Sequence, residues 1–161
     1  MADKSTLPAV LVNSYVSALL SVSEGVGLEA DFLKPEIVIG VNATDSIAAA
    51  FIGIVGGDGH CHVALMADEP SFAAYVGAFT GGIIKPDPDD SMAMSVLGEM
   101  TNMISGRALI LAKMPGLDIT PPQLFSGTNV RLSPTVKAKV KSFTLPFIVD
   151  SGKLYLVVSV Y

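Results

Sequence analysis

The sequence predicts an α/β protein of the α+β type, in which a mostly antiparallel sheet packs against two long helices. Three observations lead there. Residues 12–26 and 93–111 repeat apolar side chains with the helical period, residues 37–66 divide into strand-like runs separated by turn residues, and the chain beyond residue 136 alternates in polarity on both sides of a turn. One domain spanning residues 1–161 is expected, since a chain of this length can bury a sizeable core without dividing.

Val12, Tyr15, Val16, Leu19, Leu20 and Val26 keep i, i+3, i+4 spacing, so a first helix is expected to end near Gly25 and Gly27. Residues 37–41 and 46–55 read as strands, and Gly56-Gly57-Asp58-Gly59 reads as the turn into a third strand over residues 60–66, which together make a meander. Asp68, two residues before Pro70, marks a helix start, and residues 72–79 continue as a short helix stopped by Gly81-Gly82. A stiff linker, Lys85-Pro86-Asp87-Pro88, leads to Asp89, Asp90 and Ser91, whose oxygens suit the N-terminus of the second long helix. Arg107 and Lys113 are expected in its last turn, as the helix dipole favours.

Residues 115–134 are rich in Pro, Gly, Ser, Thr and Asn and read as a loop, one that either borders a functional face or only connects elements. After it, Val136, Ala138 and Val140 alternate with Lys137, Lys139 and Lys141, the chain turns at Asp150-Ser151-Gly152, and residues 154–161 return as the second strand of a hairpin. Pro146 cannot donate a ladder hydrogen bond, so a bulge or an edge position is expected there. The lysines protect a strand edge or, alternatively, draw in an acidic partner.

Composition narrows the function classes. Half the residues are apolar, 16% are charged and mean hydropathy is +0.56, more hydrophobic surface than a small monomer readily hides, so an oligomer interface is expected. A formal charge of −5 and a pI near 4.8 argue against nucleic acid, whose phosphates would be repelled over most of the surface. No uninterrupted apolar run reaches the roughly 18–20 residues that span a bilayer, and the first residues lack the basic start and apolar core of a signal peptide, so a cytoplasmic location without membrane insertion is expected. The single Cys61 cannot form an internal disulfide, in keeping with a reducing compartment.

The most informative residues lie in the second long helix. A helical wheel puts Ala93, Leu97, Met100, Ile104, Ala108 and Leu111 on one apolar stripe, which must be buried, and Ser95, Glu99, Asn102 and Gly106 on the opposite side. Glu99 and Asn102 are i, i+3 neighbours, with Cβ atoms roughly 5–6 Å apart, so a carboxylate and a carboxamide share one outward patch. Gly106 costs about 1 kcal/mol relative to alanine in a helix interior. It either lets a partner's backbone approach or allows close packing between helices.

Competing chemistries lack their parts. The glycines over residues 53–59 are without the Lys-Ser/Thr of a phosphate-binding loop and precede a strand. In His60-Cys61-His62, strand alternation puts the cysteine on the opposite face from both histidines, which leaves neither a metal-ligand set nor a nucleophile with a base and an orienting acid.

The run Glu99-Met100-x-Asn102-x-Ile104-x-Gly106 resembles the signature helix of the CheC/CheX/FliY family of chemotaxis phosphatases at every position of the motif. The order of elements also resembles stand-alone CheX. CheC-like members carry the motif twice, whereas the N-terminal helix here has Val10 where a glutamate would precede Asn13, so a single site is implied, as in CheX. The resemblance implies a CheC/CheX-like fold and hydrolysis of the aspartyl phosphate on a CheY-like response regulator, with Asn102 orienting the attacking water and Glu99 engaging the regulator's lysine. Ser95, Gly98 and Gly106 are expected to line the contact with that partner. The resemblance further implies no cofactor of the chain's own, Mg²⁺ residing in the regulator, and a homodimer joined through sheet edges. The alternative is a non-enzymatic module of the same fold that binds a response regulator or a flagellar-switch component.

Overall fold

The computed structural model describes residues 7–57, 61–133 and 139–161. The first helical pattern forms α1 (Leu7–Gly25), whose stripe Leu11, Tyr15, Ala18, Leu19 and Val22 is buried at i, i+4, i+7, i+8 and i+11. Gly27 (φ +81°) lets the chain turn away, with the Gly27 N–H on the Glu24 carbonyl and the Leu28 N–H on that of Ser23, both at 2.9 Å. Among the described residues α1 alone is long and apolar enough to cross a membrane. Its stripe is instead part of the protein core, packed with α3 (Ser91–Ala112).

Asp68 caps α2 (Glu69–Thr80) by accepting the Ser71 N–H at 3.0 Å, and Gly81 (φ +60°) ends it in the left-handed region. Asp90 does the same for α3, accepting the Met92 N–H at 3.0 Å. Lys113 proves to be the left-handed C-cap of α3 (φ +53°), not a member of its last turn, and Arg107 lies further back. Pro115, two residues on, cannot continue a helix.

The described strands form one antiparallel sheet, with β1 (Ala30–Phe32), β2 (Val38–Ile39), β3 (Ala48–Val55), β4 (Cys61–Ala67), β5 (Asp118–Ile119), β6 (Gln123–Ser126), β7 (Lys141–Val149) and β8 (Gly152–Val160). The path runs β1-β7-β8-β4-β3-β5, with β2 also on β7 and β6 also on β3. The expected meander is therefore only half right. β3 and β4 are neighbours, but the strand before them is short and pairs with β7 at the far edge. Between β2 and β3 the chain instead crosses the face of the sheet away from the helices. Thr144 holds that crossing, donating its hydroxyl to the Gly40 carbonyl (2.7 Å) while accepting the Asn42 N–H (3.0 Å).

Pro146 produces no bulge and instead occupies a local edge. β7 and β8 pair without interruption from Lys141↔Val160 to Val149↔Gly152, and Pro146 sits opposite Tyr155. Its carbonyl accepts the Leu33 N–H on the other side (3.0 Å), so its missing N–H also faces that side. There the neighbouring chain leaves the sheet after β1, makes a 3₁₀ turn over Lys34–Glu36 and returns as β2. The proline thus lies where no ladder partner is present. Of the alternating lysines, Lys141 opens β7 and Lys139 is exposed, while residues 134–138, Lys137 among them, lie outside the described residues, as does His60.

Helices α1, α2 and α3 cover one sheet face, burying Ala48, Ala50, Ile54, Val63, Leu65, Leu145, Phe147, Leu154, Leu156 and Val158. On the other face Ala49, Ala64, Met66, Tyr155 and Val157 pack under Val41, Ala43, Val130 and Leu132 from crossing segments. Burial on both faces explains why β4 and β8 are almost continuously apolar rather than alternating. Within the helix layer, Ser23 Oγ and Tyr75 Oη share a hydrogen bond of 2.5 Å. Burial pushes the Tyr75 phenol up to about 12, only partly offset by Ser23. Because the folded value lies above the ordinary one of 10, Tyr75 contributes stability below pH 10 that is lost as pH rises through 12. Unfolding free energy measured across that window should fall by about 2–3 kcal/mol from this group, and a Tyr75→Phe variant should show a shallower fall; an equal fall in the variant would assign the loss to other groups.

Candidate functional site: the outer face of helix α3

Along α3, Ala93, Leu97, Met100, Ile104 and Ala108 are wholly or almost wholly buried, as the wheel requires. Leu111 is not: it is 46% exposed, because it lies one turn beyond Ala108, the last α3 residue in the core. The buried flank is also wider than a single stripe, taking in Val96, Gly98, Thr101 and Ser105, since α3 packs against α1, β3 and β6 together. Thr101 meets the cost of burial by donating to the Leu97 carbonyl at 2.7 Å. The buried Tyr15 hydroxyl faces that of Ser105, and burial, only partly offset by Ser105, holds the Tyr15 phenol well above its ordinary range.

On the opposite face Ser95 and Glu99 are exposed, and Asn102 and Gly106 are half-buried. Ser95 donates its hydroxyl to the Ser91 carbonyl (2.7 Å), which leaves only its lone pairs outward. Among the described residues neither the Glu99 carboxylate nor the Asn102 carboxamide makes a hydrogen bond or an ion pair within the chain. Both hold their full bonding capacity for something outside. Gly106 has open space where a Cβ would stand, so it does not serve close packing between helices; the notch beside Glu99 and Asn102 is open to a partner.

Gly98 requires a correction. Expected to touch a partner, it is buried, and a Cβ there would stand 3.1 Å from Leu124 Cδ2 and 3.3 Å from Pro122 Cγ. Its missing side chain instead lets the chain's own β6 segment lie against α3. That segment, within the expected loop, is a strand. It is tied to β3 by Thr120, whose N–H donates to the Gly53 carbonyl (2.9 Å) and whose hydroxyl accepts the Gly53 N–H (2.8 Å), and then by the ladder from Phe51↔Gln123 to Ala48↔Ser126. Pro121 and Pro122 masked the strand, and the adjacent Leu124-Phe125 pair was the signal that could have found it.

The result is a polar strip bounded on one side by the Pro122–Leu124 segment and on the other by exposed Met92, Met103 and Ile110. Elsewhere, Cys61 faces the helices with its thiol pushed up by burial, while His62, on the opposite sheet face, has Nδ1 2.8 Å from Tyr161 Oη. These two side chains cannot act together. The arrangement on α3 can bind a cation through the carboxylate and hold a water through the carboxamide, and it offers no nucleophile of its own.

The sequence profile of the family described as chemotaxis phosphatase CheX matches residues 48–147, more than half of the chain. The chain belongs to this family. A relative from Thermotoga maritima named CheY-P phosphatase CheX is 27% identical over 129 residues, covering 78% of this chain and 81% of the relative. Among solved structures, chemotaxis protein CheX from Vibrio vulnificus superposes with a TM-score of 0.77 at 21% identity, covering 94% of this chain and 99% of that one. The CheX-CheY-BeF3-Mg²⁺ complex from Borrelia burgdorferi contains a chain similar at a TM-score of 0.69 and 18% identity, with 92% of this chain and 96% of that one covered. These likenesses establish the CheC/CheX-like fold, and the matched span includes all of α3.

Proposed function

We propose that this CheX-family chain hydrolyses the aspartyl phosphate of a CheY-like response regulator, with Asn102 and Glu99 as its working groups. The observation that carries the reading is that these two side chains stand without a partner among the described residues on the outer face of a helix in a chemotaxis phosphatase family member. The name of the Thermotoga relative and the Borrelia complex support a CheY-like partner.

Phosphoryl transfer demands positioning and charge stabilisation more than covalent chemistry. A phosphorylated regulator already holds the acyl phosphate, a Mg²⁺ ion and a lysine. What it lacks is a water fixed in line with the leaving oxygen. A carboxamide can accept from that water through its oxygen or donate to it through its NH₂, fixing its direction in either case. The Glu99 carboxylate, one turn away, meets the regulator's lysine in a charge-assisted hydrogen bond that sets the register of the two proteins. A hundredfold acceleration needs only about 2.7 kcal/mol, within reach of holding one nucleophile in place. The metal belongs to the regulator, and the chain works where receiver domains are found, in the cytoplasm.

The test is the phosphate lifetime of a phosphorylated receiver domain with and without the chain. A marked shortening is expected. A stable complex with an unchanged lifetime would replace the phosphatase with a non-enzymatic docking module.

The same reading includes a homodimer joined through a sheet edge. Of the two open edges, that of β1 and β2 is flanked by Asp31, Lys34 and Glu36, whereas residues 121–129 around β6 carry no charge and leave Phe125 exposed. An uncharged apolar edge is a template for pairing. Sedimentation should give twice the chain mass, and Phe125→Lys should give the monomer; a monomeric unmodified chain would remove the dimer.

A further inference from the structure

Directly beyond Gly106, the last turns of α3 and the segment leading into β5 enclose an open groove of about 700 Å³. Ile110, Lys113, Met114, Leu117, Asp118 and Ile119 line it. Ile110 is 78% exposed although it faces an apolar depression, a costly arrangement for an unpartnered side chain. The groove begins on the same outward strip that carries Glu99 and Asn102.

We propose that this groove is the affinity anchor for the phosphorylated receiver domain, taking an apolar side chain that the receiver presents away from its acyl phosphate, toward the margin of the contact. The inference rests on the reading that Asn102 faces that phosphate. Ile110 is eight residues beyond Asn102, a rise of about 12 Å along the helix. A specific protein interface covers about 800 Å² on each partner, a disc of roughly 16 Å radius, so a receiver seated on Asn102 extends over the groove. Lys113 and Asp118 both line the groove and offset one another, so what a receiver seated there meets is chiefly its apolar side chains. Docking over this half of α3 also keeps the receiver away from Gly98 and β6, the side on which a second copy would pair.

The division of labour is testable. Asn102 acts on the chemical step, whereas the groove acts on binding, since an apolar contact far from the phosphate is equally strong before and during reaction. Ile110→Asp and Ile110→Lys should each raise Kd for a receiver loaded with beryllofluoride and Mg²⁺ at least tenfold, with kcat at saturating phosphorylated receiver within twofold of the unmodified chain. Loss with both charge signs separates burial from electrostatics. Ile39→Asp, at an exposed position on the far sheet edge, should leave Kd unchanged, and circular dichroism should show all variants folded. Unmodified Kd in both Ile110 variants, or a fall in kcat without a change in Kd, overturns the groove while the phosphatase reading stands. If the unmodified chain neither binds nor dephosphorylates receivers, both fall together.

Discussion

Asn102→Ala is expected to lower kcat for regulator dephosphorylation by about a hundredfold, the usual loss when a single positioning hydrogen bond is removed from a reacting centre. The fold should be untouched, because the Asn102 side chain is half-buried and makes no hydrogen bond within the described chain. KM should change little, since a water held in line matters in the transition state and contributes little to docking. Asn102→Gln sharpens the expectation. It keeps the carboxamide but moves it outward by one methylene, and a misplacement of about 1 Å can itself cost on the order of a hundredfold, so this variant should recover little activity. Glu99→Ala should behave differently, raising KM as well as lowering kcat, because a carboxylate that meets the regulator's lysine contributes to association and to register. Rates of phosphate release at several regulator concentrations separate the two patterns. An Asn102→Ala protein with undiminished kcat would exclude the water-positioning role, and an unchanged KM for Glu99→Ala would exclude the lysine contact.

The parts of this site that were legible in the sequence are those set by helical periodicity. The stripe from Ala93 to Ala108 had to be buried, and that alone turned Glu99 and Asn102 outward. Leu111 escaped because periodicity says which face is apolar but not how far along the helix the neighbouring elements reach. Gly98 and Gly106 could not be told apart, since a missing side chain has no polarity to read and only the position of Pro122 and Leu124 distinguishes a covered glycine from an open one. The same limit applies to the sheet. Alternation and turn residues mark strands and a hairpin, yet the displacement of β2 to the far edge follows from the crossing segment between residues 40 and 45, whose apolar Val41 and Ala43 are too few to form a pattern. β5 and β6 were hidden by their length and by flanking prolines.

Gly152→Ala is expected to destabilise the fold by about 2–4 kcal/mol, although its φ is one that alanine adopts freely. The reason is the junction in which it sits. Asp68, the N-cap of α2, accepts the Ser71 N–H through Oδ1 (3.0 Å) and the Lys153 N–H through Oδ2 (2.8 Å). The Asp68 N–H donates to the Lys153 carbonyl (3.2 Å), which also receives the Ser71 hydroxyl (2.9 Å). Three of these hydrogen bonds, all to Lys153, thus clamp the start of α2 onto the beginning of β8, leaving no room above Gly152. A Cβ there would collide with the Ser71 amide nitrogen and Asp68 Oδ1 and come within 3.0 Å of the Pro70 carbonyl carbon. Backbone atoms cannot yield as the end of a side chain can, so the substitution must break the cap, worth about 1 kcal/mol, and push the helix off the sheet. In a domain of this size that corresponds to a fall in Tm of roughly 4–16 °C. Gly77→Ala, in the interior of α2 with nothing within 4 Å of its added Cβ, should act in the opposite direction and raise stability by up to about 1 kcal/mol. Thermal unfolding of the two variants beside the unmodified chain tests the clamp, and a Gly152→Ala protein that melts at the unmodified temperature would show that α2 is not held there.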